Sequence, residues 1–225
     1  MQHYVIAALI TIMTLEIDIN SRPFVLHCSG AVYWVEKRML LISDVHLGKI
    51  SHFRKHGSAL PDGAMYKNFT KLDAAVDYFQ PEVICFLGDL FHSSINNEWH
   101  LFSDWVAKTT PKIILVAGNH DIIAPQKYHD LDITIVSEWV LDGFLLTHHP
   151  EERAELFTFS GHIHPAVLLE GKGRQFLKLP CFFRSPNQMI LPAFGEFTGT
   201  YIMEPQENDT VYVVTKEDVV LVHGK

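Results

Sequence analysis

Seven side chains of metal-ligating type follow five short apolar runs in this chain: Asp44, His46, Asp89, Asn119, His148, His162 and His164. Met39-Leu-Leu-Ile-Ser43 leads into Asp44, and Val83-Ile-Cys-Phe-Leu87 into Gly88-Asp89. Ile113-Ile-Leu-Val-Ala117 leads into Gly118-Asn119-His120-Asp121, Phe144-Leu-Leu-Thr147 into His148, and Leu156-Phe-Thr-Phe-Ser160 into Gly161-His162. Asp44 and His46 stand two apart, as do His162 and His164, and extended backbone points such pairs to one side. Glycine before Asp89 and Asn119 lets the backbone turn sharply and come close to an ion or a phosphate. Mixed oxygen and imidazole donors suit manganese, iron or zinc better than calcium. Seven donors exceed the roughly four of a single zinc site. They suit two divalent cations sharing a carboxylate, a device that activates water and neutralises charge on a phosphoryl group. Each motif alone is common; the ordered set of five carries the signal.

The elements that must position these residues are legible nearby. The five runs have the length and the β-branched and aromatic content of buried strands. Residues 64–79 place Tyr66, Phe69, Leu72, Ala75, Val76 and Phe79 at helical steps, with Pro81 as a stop. Residues 96–108 put Trp99, Phe102, Trp105 and Val106 on one helical face. These aromatic stripes read as core packing. The chain's later part is strand-rich, with 201–203, 211–215 and 219–222 as members of a meander. In α/β sheets ligands collect beyond the carboxyl ends of strands, so clusters distant in sequence can converge on one site.

Composition bounds the answer. A chain of 225 residues that is 48% hydrophobic fits a single domain with a substantial core. Three cysteines are too few for a disulfide framework, which points to buried thiols, a reducing compartment and a cytoplasmic location. A formal net charge of −8 argues against blanket coating of nucleic acid, though not against a local basic strip. Fourteen histidines are many for this length. Residues 1–13 are apolar but lack the leading positive charge of a signal peptide, and Glu16 and Asp18 interrupt too early for a membrane span. They read as an extension ahead of a start at Met13, or as an extra strand, with the domain proper at 14–225. No coiled coil or dimer motif specifies an oligomeric state. The segment Lys49-Ile-Ser-His-Phe-Arg-Lys-His56 carries three formal positives and no acid. Lys49 and Arg54 could hold polynucleotide phosphates with Phe53 offered to a base, against the plainer reading of a solvated loop with Phe53 in the core. Lys172, Arg174, Lys178 and Arg184 read as a solvated hairpin, and the acidic stretch 130–155 as a solvated face.

The ordered motifs Asp44-Val-His46, Gly88-Asp89, Gly118-Asn119-His120-Asp121, His148 and Gly161-His162-Ile163-His164 resemble those of the calcineurin-like metallophosphoesterase superfamily. That resemblance implies a single-domain α/β fold, a four-layer αββα sandwich of two mixed β-sheets flanked by helices. It also implies that Asp44, His46 and His164 hold one metal, that Asn119, His148 and His162 hold the other, and that Asp89 bridges. Ser43-Asp44-Val-His46-Leu-Gly48 and Gly88-Asp89-Leu-Phe-His92 are similar to motifs of DNA nucleases within the superfamily. A fuller likeness spans about residues 24–205. Leu47-Gly-Lys49, Phe53-Arg54, Leu60-Pro-Asp-Gly63, Gly161-His-Ile-His-Pro-Ala166, Leu179-Pro-Cys-Phe182, Leu191-Pro-Ala-Phe-Gly195 and Phe197-Thr-Gly199 resemble the bacterial ligase-associated DNA-damage-response phosphoesterases. Those proteins are described as manganese-dependent phosphodiesterases or DNA endonucleases, encoded beside an ATP-dependent ligase and a helicase. The likeness implies two divalent ions, manganese first with iron or zinc as substitutes, and single-stranded DNA as substrate. In this scheme His120 stabilises the transition state or protonates the leaving oxygen, and His92 orients His120. His149 departs from the family, which usually shows an acidic residue there. It leaves His148 and His149 as alternative ligands; Pro150 keeps its usual offset if His148 binds. A phosphatase or nucleotide phosphodiesterase on a small molecule would use the same chemistry, and a scaffold without catalysis would have no reason to keep every ligand.

Overall fold

The computed structural model describes residues 13–49, 62–92, 94–171, 175–196 and 198–224. The 1–12 extension, Phe53, Arg54, Lys172, Arg174 and Phe197 lie outside them.

Two sheets form. The first runs in the order β1 (Thr14–Ile19), β2 (Arg22–His27), β3 (Val32–Trp34), β4 (Met39–Ile42), β5 (Val83–Leu87), β6 (Lys112–Val116), β7 (Thr134–Val136). Its first four strands pair antiparallel and β4 to β7 pair parallel. The second contains β8 (Trp139–Leu141), β9 (Phe144–Leu146), β10 (Phe157–Ser160), β11 (Pro165–Gly171), β12 (Gln175–Ser185), β13 (Gln188–Ile190), β14 (Tyr201–Ile202), β15 (Thr210–Val214) and β16 (Val219–His223). It is also mixed: β9, β10 and β13 pair parallel, while β12 pairs antiparallel with β11, β13 and β15.

Strand periodicity assigns the layers. Along β4, Leu40 and Ile42 join one core while Met39 and Leu41 join another. Ile84 and Phe86 against Cys85 and Leu87 repeat the split along β5. The first core lies under helices α1 (Tyr66–Phe79), α2 (Asn97–Val106) and α3 (Pro125–His129), through Phe69, Leu72 and Ala75, then Trp99, Phe102 and Trp105, then Tyr128. The second core joins the sheets, setting Phe24, Trp34 and Leu41 against Phe144, Phe159 and Phe182. Parallel neighbours need crossovers, and α1 and α2 supply them between β4, β5 and β6.

The five anticipated strands are present, and so are both long helices, within about two residues at each end. Helix α1 stops at Gln80, in the left-handed region with its N–H on the Val76 carbonyl, and Pro81 follows. Beyond the expectation, β1 to β3 form an antiparallel meander, for which the alternation Leu15-Glu16-Ile17-Asp18-Ile19 is the sequence signal. The stretch 130–155 is more than a solvated face, since β7, β8 and β9 lie within it. Among the described residues α1, α2 and α3 pack on the first sheet, and the second sheet carries an apolar cluster of Val167, Cys181, Phe183, Ile190, Val211 and Val213. Most second-sheet neighbours are antiparallel, and turns suffice to join them. No helix among the described residues is long and apolar enough to cross a membrane. The three cysteines are free thiols, with Cys85 and Cys181 buried and Cys28 half-buried.

Candidate metal centre

The parallel ladder β4-β5-β6 brings Asp44, Asp89 and Asn119 to one edge of the first sheet, and the β9-β10 pair brings His148 and His162 to one edge of the second. Past the strand ends, backbone bonds continue the pairing. Asp44 N–H donates to the Gly88 carbonyl, His46 N–H to Asp89 and Leu47 N–H to Leu90. The stretch after β13 laces the sheets together. Leu191 N–H donates to Ser160, Phe194 N–H to Ser43 and Gly195 N–H to Asp44.

The two histidine-bearing pairs converge, but not through extended backbone. Asp44 (φ 54°), His46 (φ 50°), His162 (φ 69°) and His164 (φ 55°) all sit in the left-handed region, as does Asp89 (φ 51°). Each such residue is strained by about 1–2 kcal/mol. Strain of this kind persists where surrounding bonds over-determine the backbone, and it concentrates at functional sites. Gly88 (φ 81°) makes the sharp turn anticipated for it, and the glycines have a second use. A Cβ on Gly88 would strike the His148 ring, one on Gly118 would strike Asp89, and one on Gly161 would strike Asp44. They make room for a neighbouring motif's ligand.

The side chains form two clusters. In the first, His46 Nε2 lies 3.2 Å from His164 Nε2, which lies 3.3 Å from Asp44 Oδ1. His164 Nδ1 is 3.0 Å from the Gly199 carbonyl. A carbonyl can only accept, so Nδ1 carries the proton and Nε2 presents its lone pair inward. In the second, His148 Nδ1 donates to the Leu87 carbonyl at 2.9 Å. Its Nε2 therefore faces Asn119 Oδ1 at 3.1 Å, and His162 Nδ1 is 3.2 Å away. Asp89 touches both clusters, with Oδ1 3.4 Å from His148 Nε2 and Oδ2 3.9 Å from His46 Nε2. His149 is exposed, and its ring centroid stands 4.3 Å from that of His162.

The titratable groups keep a carboxylate and neutral imidazoles at this place. Burial alone would raise Asp44, yet His164, His148 and His46 together hold its carboxyl below the usual range. Burial drives His46 down to about 3, and burial with His148 and His149 lowers His162, so both rings stay neutral and free to donate lone pairs. Burial lowers His164 too, but Asp44 outweighs it and raises the imidazole. Asp44 Oδ1 and His46 Nδ1 are buried without a hydrogen-bond partner. Converging lone pairs, a buried carboxylate and an orphaned acceptor fit divalent cations.

The sequence model of the calcineurin-like phosphoesterases matches residues 37–225. The chain belongs to that family. This calcineurin-like phosphoesterase is similar in structure to Pseudomonas putida nuclease MPE, with a TM-score of 0.78 and 29% identity over 93% of this chain and 100% of the other. No curated protein sequence matches it. As a member of its family the chain is a metal-dependent hydrolase of phosphoric esters.

Around the clusters, His120 N–H donates to Asp89 Oδ1 at 2.9 Å. Its ring stacks on His92, with centroids 5.1 Å apart and planes 26° from parallel, and lies 5.7 Å from His46. Lys49 is half-buried, and its charge is close enough to lower both His46 and His164. Arg54 lies outside the described residues. Other supports of this phosphoesterase site had no role in the sequence reading. Asp121 accepts from Gly118 N–H at 2.9 Å and Phe91 N–H at 3.1 Å, and burial pushes its carboxyl up to about 6. Asn68 donates to the Val45 carbonyl and accepts from Glu196 N–H, pinning the Asp44–His46 turn to α1. Its signal was a polar residue beside Phe69 in an apolar stripe. Leu191-Pro-Ala-Phe-Gly195 and Gly199 were noted for their resemblance, and their backbone contacts to Ser43, Asp44 and His164 now give the reason.

Proposed function

We propose that this chain is a two-metal phosphodiesterase that cuts DNA. In this reading Asp44, His46 and His164 hold one divalent cation, Asn119, His148 and His162 the other, and Asp89 bridges them. The observation that carries it is the Asp89 carboxylate, whose two oxygens face different clusters. The choice of His148 over His149 rests on its burial and on the Leu87 carbonyl that turns its Nε2 inward.

When bound, the ions would lower the pKa of water and neutralise charge gathering on the phosphoryl oxygens. The chain's own groups do the rest. Asp89 holds the His120 backbone, so that ring stays at a fixed height over the site and can protonate the leaving oxygen. His92 stacks against it and limits its rotation. Lys49 supplies a cation for a flanking phosphate.

A nucleic-acid substrate is supported by the similarity to a nuclease and by the rim of the site. Tyr201, whose N–H donates to the His164 carbonyl, is 64% exposed, and Ile122, whose N–H donates to His120, is 67% exposed. Large exposed apolar surfaces beside a phosphate-cleaving centre suit the faces of bases. Single-stranded DNA, manganese and a role in repair with a ligase and a helicase extend this reading from the resemblance in sequence, and a cytoplasmic location extends it from the cysteine content.

The test is an assay of the purified protein with manganese on a diester reporter, a monoester and circular single-stranded DNA. Opening of the circle with diester hydrolysis supports the proposal. Monoester hydrolysis with the circle intact would replace it with a small-molecule phosphatase. Damage sensitivity of a strain lacking the gene tests the repair role.

A further inference from the structure

The second cluster holds one imidazole more than the proposed ligand set uses. His148, His149 and His162 each present a nitrogen, and these three lie within 4.8 Å of one another. His149 is exposed, and its ring centroid is 4.8 Å from that of His148 and 4.3 Å from that of His162. Two nitrogens on one tetrahedral zinc-class ion, with bonds of about 2.1 Å, stand roughly 3.4 Å apart. His149 is exposed, so its ring can close on the other two by rotating about its side-chain torsions.

We infer that His149 is an additional donor to the second cation and biases that position toward zinc-class ions. The inference rests on the two-metal reading above. The first cluster offers two carboxylates, Asp44 and the shared Asp89, with two imidazoles. The second offers three imidazoles, the Asn119 amide oxygen and only the shared carboxylate. Imidazole suits zinc and iron, whereas carboxylate suits manganese. The two positions therefore differ in preference, and the residue that sets the difference is adjacent in sequence to a buried ligand yet itself faces solvent.

The experiment is calorimetric titration of the metal-stripped full chain with Zn²⁺ and, separately, with Mn²⁺. It compares the parent with His149→Gln and His149→Ala, and checks the fold of each by its melting temperature without metal. Loss of an outer-shell partner weakens a metal site about 10–100-fold. Loss of a donor should weaken one of the two Zn²⁺ affinities by at least about tenfold, leave the other unchanged, and alter Mn²⁺ binding less. The inference is overturned if both variants keep both Zn²⁺ affinities, if both positions weaken together, or if Mn²⁺ suffers as much as Zn²⁺. A parent that binds neither ion would instead remove the two-metal reading. If the alanine variant melts early, the glutamine variant, which keeps the polarity without the ring, decides the matter.

Discussion

One oxygen of Asp89 faces His148 and the other faces His46, so this residue links the two clusters, each of which draws ligands from both sheets. Asp89→Ala should lose both ions rather than one. Elemental analysis after dialysis would read this directly, and an unchanged content would show that the clusters do not share a ligand. His120 contributes its backbone to Asp89 and leaves its ring free for proton transfer. Positioned acids and bases give about 10²–10⁴-fold. His120→Asn should therefore cut turnover by about that factor at unchanged metal content, and full turnover would remove the ring from the reaction. Lys49 is tested through salt. Each single-strand phosphate contact contributes about −0.7 to the slope of log affinity against log salt. Lys49→Ala should flatten the slope for single-stranded DNA by about that amount, whereas an unaltered slope would assign Lys49 to the fold alone.

Among the elements, the connections matter more than the strands. The turns after β4, β5 and β10 hold their ligands in left-handed conformations, and each is stitched to a neighbour by backbone bonds. Gly161 shows how tight the stitching is. A Cβ there would overlap Asp44 Oδ2 and the Ser43 side chain, displacing the carboxylate that accepts from His162 N–H. Overpacking of this kind typically destabilises by about 1–3 kcal/mol. Gly161→Ala should lower the melting temperature by about 2–12 °C for a chain of this size and weaken metal binding at the Asp44 cluster. Gly63, where a Cβ meets nothing within 4 Å, provides the control. If Gly161→Ala and Gly63→Ala melt alike and bind metal alike, the close approach is not a constraint.

At the scale of the molecule, two cores meet across the first sheet, and the join between sheet and helix α1 contains a buried histidine. His27 ends β2, its ring lies against Tyr78 and Phe79, and Ser29 N–H and Oγ bond its Nδ1. Burial, reinforced by the charge of Lys71, lowers it from 6.5 to about 4. The folded protein keeps this ring neutral while the unfolded chain protonates it. Its contribution is therefore fully present above about pH 6.5 and is lost as pH falls from there toward about 4. Denaturant midpoints across that window should fall with acidity, and His27→Gln should make the fall shallower. An equal slope in the variant would mean that other groups carry the whole effect. His46, also neutral when folded, contributes with the same sign and makes the difference between variant and parent the quantity to read.

The sequence by itself determined the five strands that lead into the site, the long helices, the seven candidate donors and the family they resemble, because each is written in local periodicity or in a motif of a few residues. It also showed that the donors could meet, since all follow buried strands. What only the tertiary structure decided was how. The Asp44–His46 and His162–His164 pairs converge through left-handed backbone that bonds between distant segments enforce. The glycines matter because another motif's ligand fills the space beside them. The inward face of His148 is set by the Leu87 carbonyl and that of His164 by Gly199. Each of these is a contact between residues far apart in the chain, and no local pattern encodes a partner that arrives from another strand.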